Sequence, residues 1–181
     1  MKTILATLLA FSCSGFTFAL DGPPFYVDGE AKLIASWNPY DELGSVTGKL
    51  SSGDEIMIGT SYNTIVVQSV HNKIKNDLWE IEIENNDDVI LINVYEYDFD
   101  KDGEMELMII NAPDYASSYT QVFRYSNGLK ELVGSFNGQY MISVEENMVS
   151  LPYGSQGLVD RYVYLNGAFY NLVYHDPENR D

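Results

Sequence analysis

Hydrophobic and polar residues alternate along much of this chain, which is the pattern of half-buried β-strands. Within Trp79–Glu84, a tryptophan and two isoleucines occupy every second position and three glutamates occupy the positions between them. Such an alternation places the apolar side chains on one face of a strand and the glutamates on the other. Similar runs, rich in β-branched and aromatic residues, predict strands at Glu55–Thr60, Thr64–Val70, Val89–Tyr97, Glu104–Asn111, Thr120–Tyr125, Tyr140–Val144, Tyr162–Leu165 and Ala168–Tyr174.

Turn signals separate these runs. Asn127-Gly128 and Asn166-Gly167 stand between apolar strands, and such pairs favour tight β-hairpins. Asp28-Gly29 and Asn137-Gly138 predict two further hairpins by the same rule. The loops predicted at Tyr40–Gly48 and Ala112–Ser118 rest on glycine, proline, serine and aspartate content. No stretch combines a helix cap with a helical apolar stripe, so the sequence predicts an all-β chain. Its antiparallel hairpins or meanders would form a sandwich or a partial, propeller-like assembly of sheets.

The N-terminus resembles an export signal. Lys2 precedes an apolar core at Ile4–Phe11, and Thr17 and Ala19 are small residues at the positions that a signal peptidase reads. We therefore expect cleavage after Ala19 and a periplasmic or secreted bacterial protein. A lipidated Cys13 is the alternative, which the bulky Phe11 disfavours. The resulting division is a signal peptide at 1–19, one β domain at 20–175 and a polar tail at 176–181.

Composition narrows the possible chemistry. Cys13 is the only cysteine, so the mature chain is expected to lack disulfides and a thiolate nucleophile. The chain carries 27 acidic and 10 basic residues, a formal net charge of −17. This balance argues against nucleic acid and anionic membrane surfaces as partners, because both attract positive patches. No later apolar run reaches the roughly 18 residues of a membrane span. An acidic surface suits divalent cations or a cationic partner.

One segment has the spacing of a calcium-binding loop. Asp98, Asp100 and Asp102 alternate with other residues, and alternating carboxylates in a tight loop converge on a hard cation. Gly103 follows at position six, where the loop must turn sharply. Position seven is Glu104, which would contribute its backbone carbonyl. Glu106, at position nine, would complete the shell directly or through water.

The flanking residues define the kind of loop. An EF-hand needs helices on both sides and a glutamate at position twelve, but this chain has Ile109 there and strand-like runs on each side. The segment Asp98–Pro113 resembles the calcium loop of FG-GAP and VCBS-type repeats, which occur in integrin-like β-propellers and in exported bacterial proteins. The resemblance implies ligand roles for Asp98, Asp100, Asp102 and Glu106 and a backbone role for Glu104. The loop occurs once, so it does not imply a closed propeller, and the alternative is an acidic hairpin turn that binds no ion.

Catalytic candidates are weaker. The two histidines, His71 and His175, favour surface or packing roles, and Gly154–Gly157 lacks the spacing of a nucleophile turn. Glu80, Glu82 and Glu84 form the outward face of one strand. The aromatic residues that could stack on a sugar are expected mostly to pack in the core: Trp37, Trp79, Tyr95, Tyr97 and Tyr115.

Three functions follow from these features. The first is an exported binding module for a protein or a glycan, with calcium as a structural ion. The second is a periplasmic inhibitor or immunity-like protein whose acidic surface docks on a basic enzyme. The third, and least supported, is a glycoside hydrolase that uses carboxylates. The sequence identifies no catalytic constellation, so a non-enzymatic role is favoured.

Overall fold

The computed structural model describes residues 27–38, 44–82, 91–113, 117–139, 142–153 and 158–172, which form β-strands joined by turns and loops. Across these ranges no helix is long and apolar enough to cross a membrane. The predicted signal peptide and C-terminal tail lie outside the described residues. In chain order the strands are β1 (Val27–Gly29), β2 (Lys32–Trp37), β3 (Val46–Lys49), β4 (Glu55–Ser61), β5 (Thr64–His71), β6 (Ile74–Glu82), β7 (Leu91–Tyr97), β8 (Glu106–Ala112), β9 (Ser118–Ser126), β10 (Leu129–Gly138), β11 (Ile142–Glu145), β12 (Met148–Tyr153), β13 (Leu158–Leu165) and β14 (Ala168–Asn171).

The strands form three sheets, each built on an antiparallel meander of four consecutive strands. The N-terminal sheet has the order β3-β4-β5-β6, the central sheet β10-β9-β8-β7-β2, and the C-terminal sheet β1-β11-β12-β13-β14. All neighbours are antiparallel except β1 and β11, which pair in parallel. None of the three sheets closes on itself. The prediction of an all-β fold made of antiparallel meanders is therefore confirmed.

The central sheet packs against both other sheets, so its middle strands are covered on two faces. Every residue of β7 and β8 is buried. One core joins Val94, Ile109 and other central residues to Ile58 and Val67 of the N-terminal sheet. The second core lies on the opposite face and joins central residues, among them Met108, to Val149, Leu151 and Tyr164 of the C-terminal sheet. The molecule is a stack of three open sheets with two hydrophobic layers.

Two hairpins follow the sequence prediction closely. Asn127-Gly128 joins β9 to β10, and Asn166-Gly167 joins β13 to β14. All four residues have positive φ, between 52° and 82°. Positive φ at both central positions is the requirement of a type I′ turn, which asparagine and glycine meet at low cost. The alternation at Trp79–Glu82 is also confirmed, since Trp79 and Ile81 pack against the core while Glu80 and Glu82 are exposed.

The other two predicted hairpins are wrong. Asp28-Gly29 lies in β1, which pairs with β11 rather than with β2. Asn137-Gly138 lies within the ladder between β10 and β9. Both glycines instead permit close approach: a Cβ at Gly29 would overlap the carbonyl oxygen of Val144, and one at Gly138 would lie 2.8 Å from the side chain of Leu151. At these two positions the glycine after Asp or Asn permits close packing. The dipeptide alone does not distinguish this role from a hairpin turn.

The loop predicted at Tyr40–Gly48 is wrong over its last residues, because Val46–Lys49 forms β3. Here Gly48 faces Ile34 of β2 so closely that any Cβ would overlap the Ile34 backbone. Residues 39–43 lie outside the described part of the chain. The predicted loop at Ala112–Ser118 is shorter than expected, since its end residues belong to β8 and β9.

Candidate metal centre

The acidic segment forms the hairpin loop between β7 and β8, the two fully buried strands of the central sheet. It begins after Tyr97, the last residue of β7, and ends before Glu106, the first residue of β8. Strands therefore flank the loop, as the sequence predicted, and β8 begins two residues later than expected. Because both strands are held on two faces, the loop projects from a rigid base.

Three carboxylates converge in this loop. Asp98, Asp100 and Asp102 each offer one oxygen, and these oxygens all lie within 4.8 Å of one another. Calcium binds oxygens at about 2.3–2.6 Å, so two ligands of one ion are at most about 4.6–5.2 Å apart. The cluster thus has the donor type and the spacing of a site for a hard cation. Asp100 and Asp102 are exposed, and Asp98 is partly buried.

Backbone hydrogen bonds fix the shape of the loop. Asp98 accepts from two amides, those of Asp102 at 3.1 Å and Gly103 at 2.9 Å. Asp102 in turn accepts from the amide of Glu104 at 2.8 Å. Gly103 has a φ of 93°, which a residue with a side chain rarely adopts, although the space around its Cα is open. The glycine at position six is therefore required by the backbone conformation, as the sequence predicted.

Lys101 is the one basic residue of the loop, and its side chain contacts Glu30 and Tyr97. Its ammonium group lies 3.4 Å from the Glu30 carboxylate and 4.7 Å from the centre of the Tyr97 ring. The residue has a φ of 59°, in the left-handed region. The lysine is paired with Glu30, in the turn between β1 and β2.

The two glutamates of the predicted site behave differently from the aspartates. Glu104 is exposed, and its predicted backbone role stays a prediction. Glu106 is only 2% exposed. Its carboxylate accepts from the Phe99 amide at 3.2 Å and from the Tyr164 hydroxyl at 3.0 Å. The structure therefore brings three of the five predicted residues together by their side chains, and it places the Glu106 carboxylate behind the loop instead.

The surroundings of Glu106 disfavour its charge. Burial raises the pKa of the Glu106 carboxyl, the Phe99 amide and the Tyr164 hydroxyl lower it, and the charges of Asp100 and Asp102 raise it further, with a net upward shift. Burial also raises the pKa of Tyr164, to about 12, against the effect of the adjacent Arg124 and with that of Glu106. Arg124 donates to the Tyr164 hydroxyl at 3.3 Å. The acidic loop is thus coupled electrostatically to a buried carboxyl that makes no direct ion pair within the described residues, although the charge of Arg124 attracts it.

Sequence reasoning missed the partners of Glu106. Tyr164 and Arg124 are 58 and 18 positions away, and nothing local relates them to the loop. One signal was present: Glu106 opens a strand whose other residues are mostly apolar, and a carboxylate in a buried strand must find hydrogen-bond donors. Phe99 was also overlooked, although it is fully buried between two of the predicted ligands.

A second cluster of ionisable groups joins the central and N-terminal sheets. Asp54 accepts from the Tyr125 hydroxyl at 2.7 Å and lies 2.9 Å from the Nδ1 atom of His71. The Nε2 atom of His71 contacts the Asn72 amide at 2.8 Å. The sequence favoured a surface or packing role for His71, and these contacts place it, partly buried, in a hydrogen-bonded cluster. His175 and the segment 154–157 lie outside the described residues.

The predicted aromatic platform is largely core. Trp37, Tyr95 and Tyr97 are 2–5% exposed. Trp37 lies in the first core, against which the partly buried Trp79 packs, and the two tyrosines lie in the second. Packing is therefore confirmed as their role, while Tyr115 lies outside the described residues.

Comparison with known proteins gives no match: no protein-family model, no curated protein and no solved structure matches this chain. Its function must be argued from its own residues.

Proposed function

We propose that this protein is an exported binding module whose Asp98–Glu106 loop holds a structural calcium ion. The observation that carries the proposal is the convergence of three carboxylate oxygens within 4.8 Å. Asp98, Asp100 and Asp102 would be the side-chain ligands, the Glu104 carbonyl would add a fourth oxygen, and water would complete the shell. Glu106 would support the loop through the Phe99 amide, or bind through water at the rear.

The electrostatics of the loop favour a bound cation. Two carboxylates separated by about 5 Å repel each other by roughly 1 kcal/mol in water, and by more where solvent is partly excluded. Three such pairs exist among the aspartates, and Lys101 is paired with Glu30. Exposed oxygen ligands of this kind suit the millimolar calcium outside cells, with dissociation constants of roughly 10⁻⁴–10⁻³ M.

A role in binding rather than catalysis is supported by how the ionisable groups are used. The clusters around Asp54 and Glu106 each bridge two neighbouring sheets. Within each cluster, the polar groups form hydrogen bonds with one another. An acidic chain of this kind presents carboxylates over its surface, which suits a basic protein or a glycan. The export signal predicted at 1–19 would place the domain where calcium is abundant.

The metal proposal is tested by calorimetric titration of the metal-free chain with calcium chloride. We expect one site per chain with a dissociation constant of roughly 10⁻⁴–10⁻³ M. Asp100→Asn should weaken binding at least tenfold. Asp77→Asn is the matched control, because Asp77 is an exposed aspartate on β6 that accepts a hydrogen bond from Gln68 and lies outside the loop. Equal binding by both variants, or no heat from the unmodified chain, would contradict the proposed site.

The partner is a separate question with its own assay. Immobilised glycans and a panel of basic, cell-wall-lytic enzymes would be screened in calcium and in chelator. Retention of a glycan or of a basic protein that is weaker in chelator supports a calcium-dependent module. Inhibition of a lytic enzyme would favour the inhibitor function, and turnover of a glycan would favour the hydrolase.

A further inference from the structure

The calcium loop and the C-terminal sheet are joined by a closed ring of four hydrogen bonds. The Phe99 carbonyl accepts from the Asn147 amide at 2.8 Å, and the Asn147 carbonyl accepts from the Tyr164 amide at 2.8 Å. The Tyr164 hydroxyl then donates to Glu106, whose second oxygen accepts from the Phe99 amide. The cycle of hydrogen bonds passes from the loop to the β11–β12 turn, to β13, to β8 and back to the loop. We call it the Phe99 hydrogen-bond ring.

Phe99 also anchors the loop in the second hydrophobic core. Its side chain has no exposed surface. The ring centres of Tyr97, Phe169 and Tyr164 lie 4.9, 5.0 and 5.7 Å from that of Phe99. Two of these three rings belong to the C-terminal sheet. Phe99 therefore makes both its backbone and its side-chain contacts across the same boundary between sheets.

The position of Phe99 in the loop connects this boundary to the metal site. It stands between Asp98 and Asp100, two of the three converging carboxylates. Any change in its backbone dihedrals would move one of these aspartates relative to the other. It would also displace the Phe99 amide and carbonyl, which take part in the Phe99 hydrogen-bond ring. A rearrangement of the loop that moves Phe99 would therefore also disturb the C-terminal sheet.

The loop at the other boundary provides a comparison. The turn between β3 and β4 lies against the central sheet, where Ser51 donates its amide and hydroxyl to Glu96. Its Gly53 has a φ of 95°, close to the 93° of Gly103, and open space surrounds both glycines. The two loops thus carry the same backbone requirement. They line a common surface cavity, but their hydrogen bonds join them to different sheets.

We propose that the Asp98–Glu106 loop and the C-terminal sheet form one cooperative unit, so that ordering of the loop controls how tightly this sheet is attached to the rest of the molecule. For its calcium arm the inference rests on the proposed function, since calcium is the ligand that would order the loop. Linkage is reciprocal, so an intact Phe99 hydrogen-bond ring would in turn favour calcium binding. The N-terminal sheet would respond little.

Hydrogen–deuterium exchange of the full chain, followed by mass spectrometry, tests this unit with calcium chloride and with chelator. Calcium should slow exchange in 142–153 and 158–172 by tenfold or more, and change exchange in 55–82 by less than twofold. Protection confined to 98–106, or equal in both outer sheets, would overturn the inference while leaving the metal site intact.

A metal-free arm separates the inference from the proposed function. Gly103→Ala and Gly53→Ala impose the same backbone strain without a steric clash. In chelator, Gly103→Ala should speed exchange at least fivefold in 158–172, whereas Gly53→Ala should speed it in 55–82. If the chain binds no calcium but Gly103→Ala acts in this way, the proposed function fails and the cooperative unit stands. If both variants affect the same sheet, the unit is refuted.

Tyr164→Phe supplies a milder variant in case the glycine variants fail to fold. It removes one hydrogen bond of the Phe99 hydrogen-bond ring and should weaken calcium binding about threefold or more. Tyr125→Phe is the matched control, because it removes a tyrosine–carboxylate bond at the other boundary. Equal calcium affinity in the two variants would contradict the coupling.

Discussion

Two buried glutamates on neighbouring strands hold the two boundaries of this three-layered molecule, and they do so under opposite electrostatic conditions. Glu96 of β7 is 3% exposed and faces the N-terminal sheet, while Glu106 of β8 is 2% exposed and faces the C-terminal sheet. Each accepts a backbone amide from a hairpin loop, that of Ser51 or that of Phe99. The same device, a buried carboxylate that binds a loop amide, is used on both faces of one sheet.

The difference lies in what compensates each charge. Glu96 accepts both the amide and the hydroxyl of Ser51, and the Lys32 ammonium lies 3.5 Å away. Glu106 accepts from one amide and one hydroxyl; the charge of Arg124 attracts it without a direct ion pair, and the nearby Asp100 and Asp102 repel it. A buried carboxylate without a cationic partner is costly. The boundary at the N-terminal sheet therefore has a direct cationic partner within the protein, while the other would gain one when a cation from solution binds the acidic loop.

The largest expected effect comes from removing the apolar anchor of each loop. Phe99→Ala should cost about 3–5 kcal/mol and Leu50→Ala, in the β3–β4 turn, about 2–5 kcal/mol, because both side chains are buried. Only Phe99→Ala should also abolish stabilisation by calcium. Urea unfolding with and without calcium measures both quantities. Full retention of the calcium effect in Phe99→Ala would show that the loop binds its ion independently of the core.

Neutralising the two glutamates should have unequal effects. Glu96→Gln weakens the hydrogen bonds with Ser51 and the contact with Lys32, so it should destabilise the fold by about 1–3 kcal/mol. Glu106→Gln loses one acceptor but also removes the charge that Asp100 and Asp102 repel. Its stability in chelator should therefore change by less than about 1 kcal/mol. Chemical denaturation of both variants in chelator makes the comparison. Equal losses would mean that the two boundaries are electrostatically alike.

The smallest effect concerns alkaline pH. Tyr164 has a folded pKa of about 12, above the ordinary value of 10.0. A folded pKa raised in this way contributes stability that is fully present below about pH 10 and is lost as the pH rises towards 12, because the unfolded chain ionises first. The loss attributable to Tyr164 should reach about 1 kcal/mol near pH 11.

Denaturation midpoints measured between about pH 9 and 11 test this assignment. Tyr164→Phe should show a shallower decline than the unmodified chain. Burial also raises the pKa of Tyr125, with Asp54 adding to the shift, so Tyr125→Phe should flatten the decline as well. An unchanged slope in Tyr164→Phe would contradict the raised pKa of this tyrosine.

Local pattern predicted most of the strands because the relevant information was local. The buried runs at β7 and β8 are mostly apolar, and the alternation at β5 and β6 is visible in the chain itself. Strand β10 was missed because most of its side chains are exposed at the edge of the central sheet, so it lacks an apolar face over much of its length. Glycine was ambiguous: the same residue gave a turn at Gly128 and a close backbone contact at Gly29.

For the candidate site, spacing alone identified the three aspartates and the glycine that the loop requires. It could not assign Glu106, whose side chain is directed by contacts with Phe99 and Tyr164 rather than by its position in the motif. The sequence also could not predict how the three sheets stack, because the composition of a strand does not specify which sheet packs on which. Long-range hydrogen bonds, such as that between Tyr164 and Glu106, exist only once the sheets have packed.

The central claim, that the C-terminal boundary depends on a cation, is tested most directly by thermal unfolding of the unmodified chain in calcium and in chelator, with Asp100→Asn alongside. At roughly 10 mM calcium the site should add about 1–3 kcal/mol to the free energy of unfolding, because binding to the folded state stabilises it by mass action. The midpoint of the unmodified chain should rise accordingly, and that of Asp100→Asn should not. A midpoint that is the same in calcium and in chelator would contradict the claim.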